Sequence, residues 1–206
     1  MIRLYGIPMS RASRCLWMLE ELGVKYENVP ISFIGDVKKP DYLKLNPNGR
    51  IPTLDDEGTL VWESLAINLH LARKYGKGQL WPDSETEQSH AIQWSIWAQT
   101  DVDANLLTVV KGRRGASEAE RDPVAADQAE DALRGRWAVL ESALAEHECL
   151  LGADFTVADL NVAAVVAGAT IARVDLRSFS RLRGWLRRSL SRPAAQKIFA
   201  LAMQEG

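Results

Sequence analysis

Short apolar runs and helical stripes alternate through the first half of the chain; long helical stripes fill the second half. Ile2 to Tyr5 reads as a strand. Cys15, Met18 and Leu22, with Leu16 and Leu19, form a helical stripe that Gly23 should stop. Tyr26 to Ile31 reads as a second strand, and Pro40 to Leu45 as a short helix halted by Asn46-Pro47. Thr53 to Asp55 and Thr59 to Trp62 predict a hairpin around Asp56-Glu57-Gly58. Leu65, Leu69 and Ala72 mark a further helix ending at Gly76. The second half predicts a long helix from Glu85 to Lys111 carrying Trp94 and Trp97. Another runs from about Pro123 to His147 on the stripe Ala129, Leu133, Trp137, Leu140, Leu144. A third starts at Thr156, on Leu160, Ala164, Ala167 and Ile171. Two shorter ones lie near Phe179 to Leu190 and Pro193 to Met203.

The first-half order, βαβ then α then ββα, is the thioredoxin-like order, with one parallel and one antiparallel strand pairing. The expected class is therefore α/β plus all-α: a thioredoxin-like domain over 1–78 and an all-helical domain over 84–206. Six of the eight prolines precede Asp83, and the glycine- and proline-bearing run from Gly76 to Pro82 marks the boundary. Thr156-Val-Ala-Asp159 reads as a capping box, with Phe155 and Leu160 as its hydrophobic staple. That makes it a folding element whose cap contributes about 1 kcal/mol.

Composition narrows the function classes. A formal charge of −2 gives no global attraction to nucleic acid or anionic membrane. Basic clusters at Lys111–Arg114 and Arg181–Arg192 read as solvated helix faces. The two cysteines, Cys15 and Cys149, make no CxxC pair and no metal-ligand spacing. Their apolar neighbours predict buried free thiols in helices, in a reducing compartment. No basic-plus-apolar leader opens the sequence, and no stretch is long enough to span a bilayer. A soluble, cytoplasmic protein is expected.

Three segments carry candidate chemistry. The first is Pro8-Met-Ser10-Arg-Ala-Ser13-Arg14, between the first strand and first helix. Ser10-x-x-Ser13 stands where a thioredoxin-like fold holds its redox cysteine pair. Serine has no disulfide chemistry, but its hydroxyl at a helix N-terminus can meet an anion. An ordinary helix cap fits equally. The second is Asn46-Pro-Asn-Gly-Arg-Ile51-Pro52-Thr-Leu. A cis Ile51–Pro52 bond would turn the Ile51 backbone groups outward toward an extended peptide; a plain turn is the alternative. The third is Trp62-Glu63-Ser64-Leu-Ala-Ile67. Ser64 is placed to cap a helix whose free N–H groups suit a carboxylate, and Glu63 beside it suits an ammonium. A cap plus one exposed acid is the alternative.

Together, P-x-S-x-x-S-R, NPNGRIPTL, WESLAI and FTVADL, in that order and spacing, resemble the glutathione transferase family, particularly its serine-type bacterial branch (theta-, phi- or delta-like). The resemblance covers nearly the whole chain and implies that fold. It implies glutathione as co-substrate, with no metal, and Ser10 as the hydroxyl that hydrogen-bonds the sulfur. Ile51, ahead of Pro52, would supply the backbone pair to the cysteinyl part. Glu63 and Ser64 would hold the γ-glutamyl end, and Lys38, Lys39, Asn48 or Arg50 the glycyl carboxylate. Ser10 would act as donor to a thiolate, not as nucleophile; His70, His90 and His147 form no hydrolase motif. Ser13 and Tyr5 are the rivals to Ser10. Met9, Arg11, Trp97, Thr100 and Asp101 are candidate walls for a second substrate, with plain core as the alternative for the tryptophans. In several branches an acid on this helix reaches across a dimer, so Asp101, or Asp103, is a candidate for that contact.

The implied activity is conjugation of glutathione to small hydrophobic electrophiles, in detoxification, by a homodimer. Another glutathione-dependent reaction on the same fold (isomerase, reductive dehalogenase or peroxidase) and a non-catalytic binding protein are the alternatives. Glutathione and a small electrophile are the implied partners, with no nucleic acid and no membrane.

Overall fold

In the computed structural model, residues 1–115 and 117–204 are described, apart from the Glu120 side chain. The expected helical domain, 84–206, thus includes residues 116, 205 and 206, which lie outside the described residues. The chain divides into two compact units, Met1–Asp83 with Ser191–Gly206, and Ser84–Leu190.

The first unit is built on a four-stranded sheet in the order β2-β1-β3-β4. Strand β1 (Ile2–Tyr5) pairs parallel with β2 (Tyr26–Val29) and antiparallel with β3 (Thr53–Asp56), which pairs antiparallel with β4 (Thr59–Trp62). β2 stops two residues before the expected Ile31, because Pro30 has no N–H to continue the ladder. β3 extends to Asp56, leaving Glu57 and Gly58, both at positive φ, as a two-residue hairpin turn. Helices α1 (Ala12–Leu22), α2 (Pro40–Leu45) and α3 (Ser64–Tyr75) follow as the stripes predict. Gly23 ends α1 at φ 62°. α1 and α3 pack on each other, and Leu4, Met18, Leu19, Leu54, Ile67 and Leu71 are fully buried. Burying each such side chain contributes about 1.5–3 kcal/mol.

Two polar devices bind this unit together. Asp56, wholly buried, accepts from His70 Nε2 (2.7 Å), Lys74 Nζ (2.8 Å) and the Tyr75 hydroxyl (2.7 Å), tying β3 to α3. Burial by itself would raise its pKa, but these donors bring it below the usual value. The second device fastens the last helix, α10 (Pro193–Gln204), to α1. Arg192 grips Glu21 through two bonds of 2.8 Å, Lys197 meets Glu20 at 2.7 Å, and Phe199 packs edge-on to Trp17. The final helix, expected in the helical domain, therefore groups by contact with the thioredoxin-like unit.

The second unit is all-helical: α4 (Glu85–Trp97), α5 (Ala104–Arg114), α6 (Pro123–Ala143), α7 (Val157–Val166), α8 (Gly168–Ala172) and α9 (Ser180–Leu190). The expected single helix from Glu85 to Lys111 is interrupted by a π-helical stretch, Ala98–Asp103. Helix α6 ends at Ala143, so His147 and Cys149 lie in the turns beyond it; Cys149 is half-buried rather than a buried helical thiol. α7 departs from the predicted stripe. Val157–Val166 is buried on nearly every side, whereas Ile171 is 62% exposed. A helix apolar all round has no stripe to read.

The capping box at Thr156 is present, but Asp159 does more than cap. Its carboxylate accepts from Thr156 N–H and the Thr156 hydroxyl, and also from Leu150 N–H and Trp185 Nε1, both at 2.9 Å. It joins the loop before α7 to α9. Thr156→Ala should cost about 1 kcal/mol, a lost cap. Asp159→Ala strands several buried donors and should cost about 4 kcal/mol in urea unfolding. Equal losses in the two variants would reduce Asp159 to a cap.

Candidate functional site

The loop from Gly6 to Arg11 leads β1 into α1. A Cβ on Gly6 would lie 2.6 Å from the Ala12 Cβ, so only glycine permits this approach. Ser10, half-buried, donates its hydroxyl proton to the Ile7 carbonyl at 2.8 Å and accepts the Ala12 N–H at 3.1 Å. Ser13 donates to the Ser10 carbonyl at 2.8 Å, the back-bond usual for a serine inside a helix. The opening turn is largely satisfied by itself: Ser13 N–H and Arg14 N–H bond to the carbonyls of Ser10 and Arg11. The helix start thus leaves fewer free amides beside Ser10 than a bare N-terminus would, and the serine oxygen already holds one of them. Cys15, wholly buried on α1, is no rival nucleophile; burial pushes its thiol pKa far up. Tyr5 packs edge-on to Tyr42, centroids 6.4 Å apart.

The second segment is organised by Asn46, which the sequence marks only as a helix stop, and by Tyr42, which lies outside the motif. Asn46, 2% exposed, donates through Nδ2 to the Arg50 carbonyl (2.8 Å) and Thr53 Oγ1 (3.2 Å). Its Oδ1 accepts Asn48 N–H and Nδ2. The Tyr42 hydroxyl donates to the Arg50 carbonyl at 2.7 Å and contacts Thr53 Oγ1 at 2.8 Å. Gly49 turns at φ 58°, where a Cβ would meet Val37 O at 2.9 Å and Lys38 Nζ at 3.0 Å. The loop is therefore held rigidly up to Arg50. Ile51–Pro52 is cis, and among the described residues the Ile51 N–H and C=O have no hydrogen-bond partner. Asn46 reads in sequence as a helix stop; the Asn-Pro-Asn-Gly turn chemistry was the signal that it also organises a loop.

Cations collect beside this loop. Lys38 lies over Gly49, and neither its ammonium nor the Arg50 guanidinium has an ion pair among the described residues. Lys39, the further candidate there, is bound to Asp36 at 2.6 Å.

At the third segment Glu63, not Ser64, occupies the cap position of α3, without a side-chain cap bond. Ser64 is the first helical residue, so the expectation that it caps is corrected. Its hydroxyl is consequently left without a hydrogen bond among the described residues. Cys15 Sγ donates to the Ser64 carbonyl at 3.4 Å, tying α1 to the start of α3. Glu63 is exposed and stands at φ 71°, ψ 115°. A non-glycine residue there carries about 1–3 kcal/mol of strain, and such residues concentrate at ligand sites.

The remaining candidates divide between the units. Met9 (52% exposed) and Arg11 belong to the first. Trp97, Thr100 and Asp101 sit together at the π-helical stretch of the second. Trp97 is half-buried and packs edge-on to Trp94, centroids 5.2 Å apart, so it is not plain core. Thr100 donates to the Ile96 carbonyl and contacts Asp101 at 2.9 Å. Asp101 pairs with Arg136 of its own chain at 3.2 Å, and Asn105 bonds its carbonyl at 2.7 Å. Asp103 is buried and receives the Gln99 amide. π-helical insertions are rare and frequently mark functional positions.

Residues 1–73 match the family model of the glutathione S-transferase N-terminal domain, and residues 100–193 that of the C-terminal domain. The chain belongs to the glutathione S-transferase family. It is 31% identical to glutathione S-transferase GstB of Escherichia coli K12, across 96% of this chain and 97% of that one. It superposes with TM-score 0.87 on the theta class glutathione S-transferase of the citrus canker pathogen Xanthomonas axonopodis pv. citri, solved with glutathione bound; identity is 29% and coverage 95% of each chain. Glutathione transferase URE2P6 of Phanerochaete chrysosporium, solved with oxidized glutathione, gives TM-score 0.88 at 29% identity, over 100% and 97% of the two chains. The glutathione S-transferase fold, a thioredoxin-like mixed sheet with a helical domain, is thus established for this chain. No helix among the described residues is long and apolar enough to cross a membrane, and none of their side chains group as a metal site.

Removing the loop's hub tests how the second segment is held. Asn46→Ala should lose about 2 kcal/mol of stability, because the Thr53 hydroxyl and the loop amides lose a buried partner. A loss under half of that in urea unfolding would mean that Tyr42 alone holds the loop.

Proposed function

We propose that this glutathione S-transferase conjugates the glutathione thiolate to small hydrophobic electrophiles, with Ser10 as donor to the sulfur. The carrying observation is the Ser10 hydroxyl, whose oxygen accepts the Ala12 N–H and whose proton rests on the Ile7 carbonyl. Rotation of that O–H moves the proton from a carbonyl to an anion without disturbing the amide bond. An oxygen already accepting a hydrogen bond is the better donor. Ser13 has only its back-bond to offer, which favours Ser10 within the serine-type branch.

The energetics suffice. A free thiol has a pKa of about 8.5, and lowering it two units needs about 2.7 kcal/mol of preferential anion stabilisation. A hydroxyl bond to a charged group supplies about 1.5–3 kcal/mol, and the α1 dipole about 1 kcal/mol more. The thiolate then attacks the electrophilic carbon; sulfur gains the new bond and the leaving group departs with its electron pair.

Glutathione fits the open contacts of the first unit. The unpaired Ile51 backbone, ahead of Pro52, would pair with the cysteinyl part as an added strand does. Glu63, in its strained conformation, would take the γ-glutamyl ammonium, and the unengaged Ser64 hydroxyl its carboxylate. Lys38 and Arg50, with Asn48, suit the glycyl carboxylate. Met9 and Arg11, on the same loop as Ser10, are proposed to contact the electrophile. We assign a homodimer in the cytoplasm on the family resemblance. Leu60 and Trp62, 41% and 43% exposed on β4, are apolar surface for a partner to cover. Asp101, paired with Arg136 within its own chain, is a weaker candidate for a contact across that dimer.

Steady-state conjugation of a chromogenic aryl halide checks these roles. Ser10→Ala should lower kcat about 10–100-fold while leaving the glutathione Kd within about twofold. Glu63→Ala should instead raise the glutathione Kd about tenfold. Unchanged kcat in Ser10→Ala would remove Ser10 from the mechanism, and absence of turnover in the unaltered protein would remove the enzyme reading.

A further inference from the structure

Helices α1 and α3 run side by side in the same direction. Near their heads the Cys15 thiol donates to the Ser64 carbonyl at 3.4 Å, and the Asn68 side chain donates through Nδ2 to the Arg14 carbonyl at 3.2 Å. Near their tails Gly76, just past α3, lies against Leu22: a Cβ there would stand 3.2 Å from Leu22 Cδ2. The two polar bonds are reciprocal. One side chain of each helix reaches the backbone of the other, so the bonds fix the helix axes rather than a pair of movable side chains. Cys15 and Asn68 are both wholly buried. Burial keeps the Cys15 thiol protonated and therefore a donor.

An apolar seam would hold these helices more simply. Ile67, Leu71 and Ala72 around Asn68 are wholly buried and apolar. A buried amide adds little net stability even when bonded, whereas a leucine of the same shape would bury apolar surface. What the polar bonds supply is position. Arg14 and Cys15 lie about one turn past Ser10, whose carbonyl holds the Ser13 N–H and whose hydroxyl oxygen holds the Ala12 N–H. A shift of α1 is thus carried to Ser10. Ser64 is itself the first residue of α3, with Glu63 before it. The seam therefore sets the span between the Ser10 hydroxyl and the Glu63–Ser64 corner. Hydrogen bonds weaken steeply with stretch and misalignment, and groups acting together on one ligand need to be held within about 0.5 Å.

We propose that Asn68 and Cys15 are positioning residues: their reciprocal bonds hold the sulfur donor, Ser10, at the distance from the γ-glutamyl receptor, Glu63–Ser64, that one glutathione molecule spans. The inference rests on the glutathione contacts proposed above. It adds two residues that, being wholly buried, touch no part of the tripeptide. A tripeptide anchored by Glu63 and Ser64 on a loosened seam still binds, but its sulfur falls out of line with the Ser10 hydroxyl. Loss of the seam is therefore felt in the ionisation of the sulfur and not in the binding of the rest.

The test is ultraviolet titration of the bound glutathione thiolate in Asn68→Leu, Cys15→Val and Cys15→Ser, with Ser10→Ala alongside and folding checked by circular dichroism. Asn68→Leu and Cys15→Val should each raise the bound thiol's pKa by about one unit, and move the pH profile of kcat by the same amount. Cys15→Ser, which keeps a donor, should titrate as the unaltered protein does. Affinity for the glutathione analogue with a methyl group in place of the thiol should stay within about twofold in all three, because its remaining hydrogen bonds are untouched. Should Asn68→Leu fail to fold, Cys15→Val set against Cys15→Ser decides. An unmoved pKa in the folded seam variants, beside a raised one in Ser10→Ala, would overturn the inference and leave the role of Ser10 standing. An unmoved pKa in Ser10→Ala would remove that role and the inference with it. Analogue affinity that falls as far as the thiolate population would also overturn the inference, by showing general damage to the fold.

Discussion

A serine hydroxyl has one proton to give, and at the head of α1 the backbone competes for it. Ser10 resolves the competition by geometry. Its oxygen takes the Ala12 N–H, which fixes the side chain, while its proton sits on the Ile7 carbonyl 2.8 Å away. A neutral carbonyl is a weaker acceptor than a thiolate. The hydroxyl is thus held in place yet free to turn, and the proposed chemistry depends on that freedom. Gly6 makes the arrangement possible by letting the β1–α1 loop close against Ala12.

The rest of the first unit supplies rigidity around this one movable proton. Asn46 and Tyr42 saturate the Arg50 carbonyl and Thr53 hydroxyl, so the chain reaches Ile51 with its position set and its own backbone groups unspent. Cys15 joins α1 to the first residue of α3, linking the serine helix to the strained Glu63–Ser64 corner. Asp56 clamps β3 to the far end of α3. A tripeptide meeting such a surface orders little of the protein, which lowers the entropic cost of binding. In the second unit Asp159 performs the corresponding structural task, drawing the loop before α7 and the indole of Trp185 onto one carboxylate.

Much of this was legible in the residues. Alternation and helical stripes located all four strands and most helices, and Thr156-x-x-Asp159 announced its capping box. The failures have physical reasons. α7 is buried on nearly all sides, so periodicity carried no directional signal. The π-helical insertion at Ala98–Asp103 leaves the apolar pattern helical, and nothing in composition distinguishes it. The last helix reads like its neighbours; only the pairing of Arg192 with Glu21 and of Lys197 with Glu20, far apart in sequence, reveals where it packs. Ser64 looked like a cap because serine favours that position, but the positive φ of Glu63 moved the helix start by one residue. Asn46 was visible as a turn residue, whereas its four contacts needed the fold.

The decisive quantity is the ionisation of the bound sulfur. The ultraviolet absorbance of the thiolate, titrated against pH in the glutathione complex, reports that ionisation without the later chemical step. The bound thiol pKa should lie about two units below that of the free tripeptide, restored most of the way in Ser10→Ala and unaltered in Ser13→Ala. An equally depressed pKa in Ser10→Ala would contradict Ser10 as the donor to the sulfur.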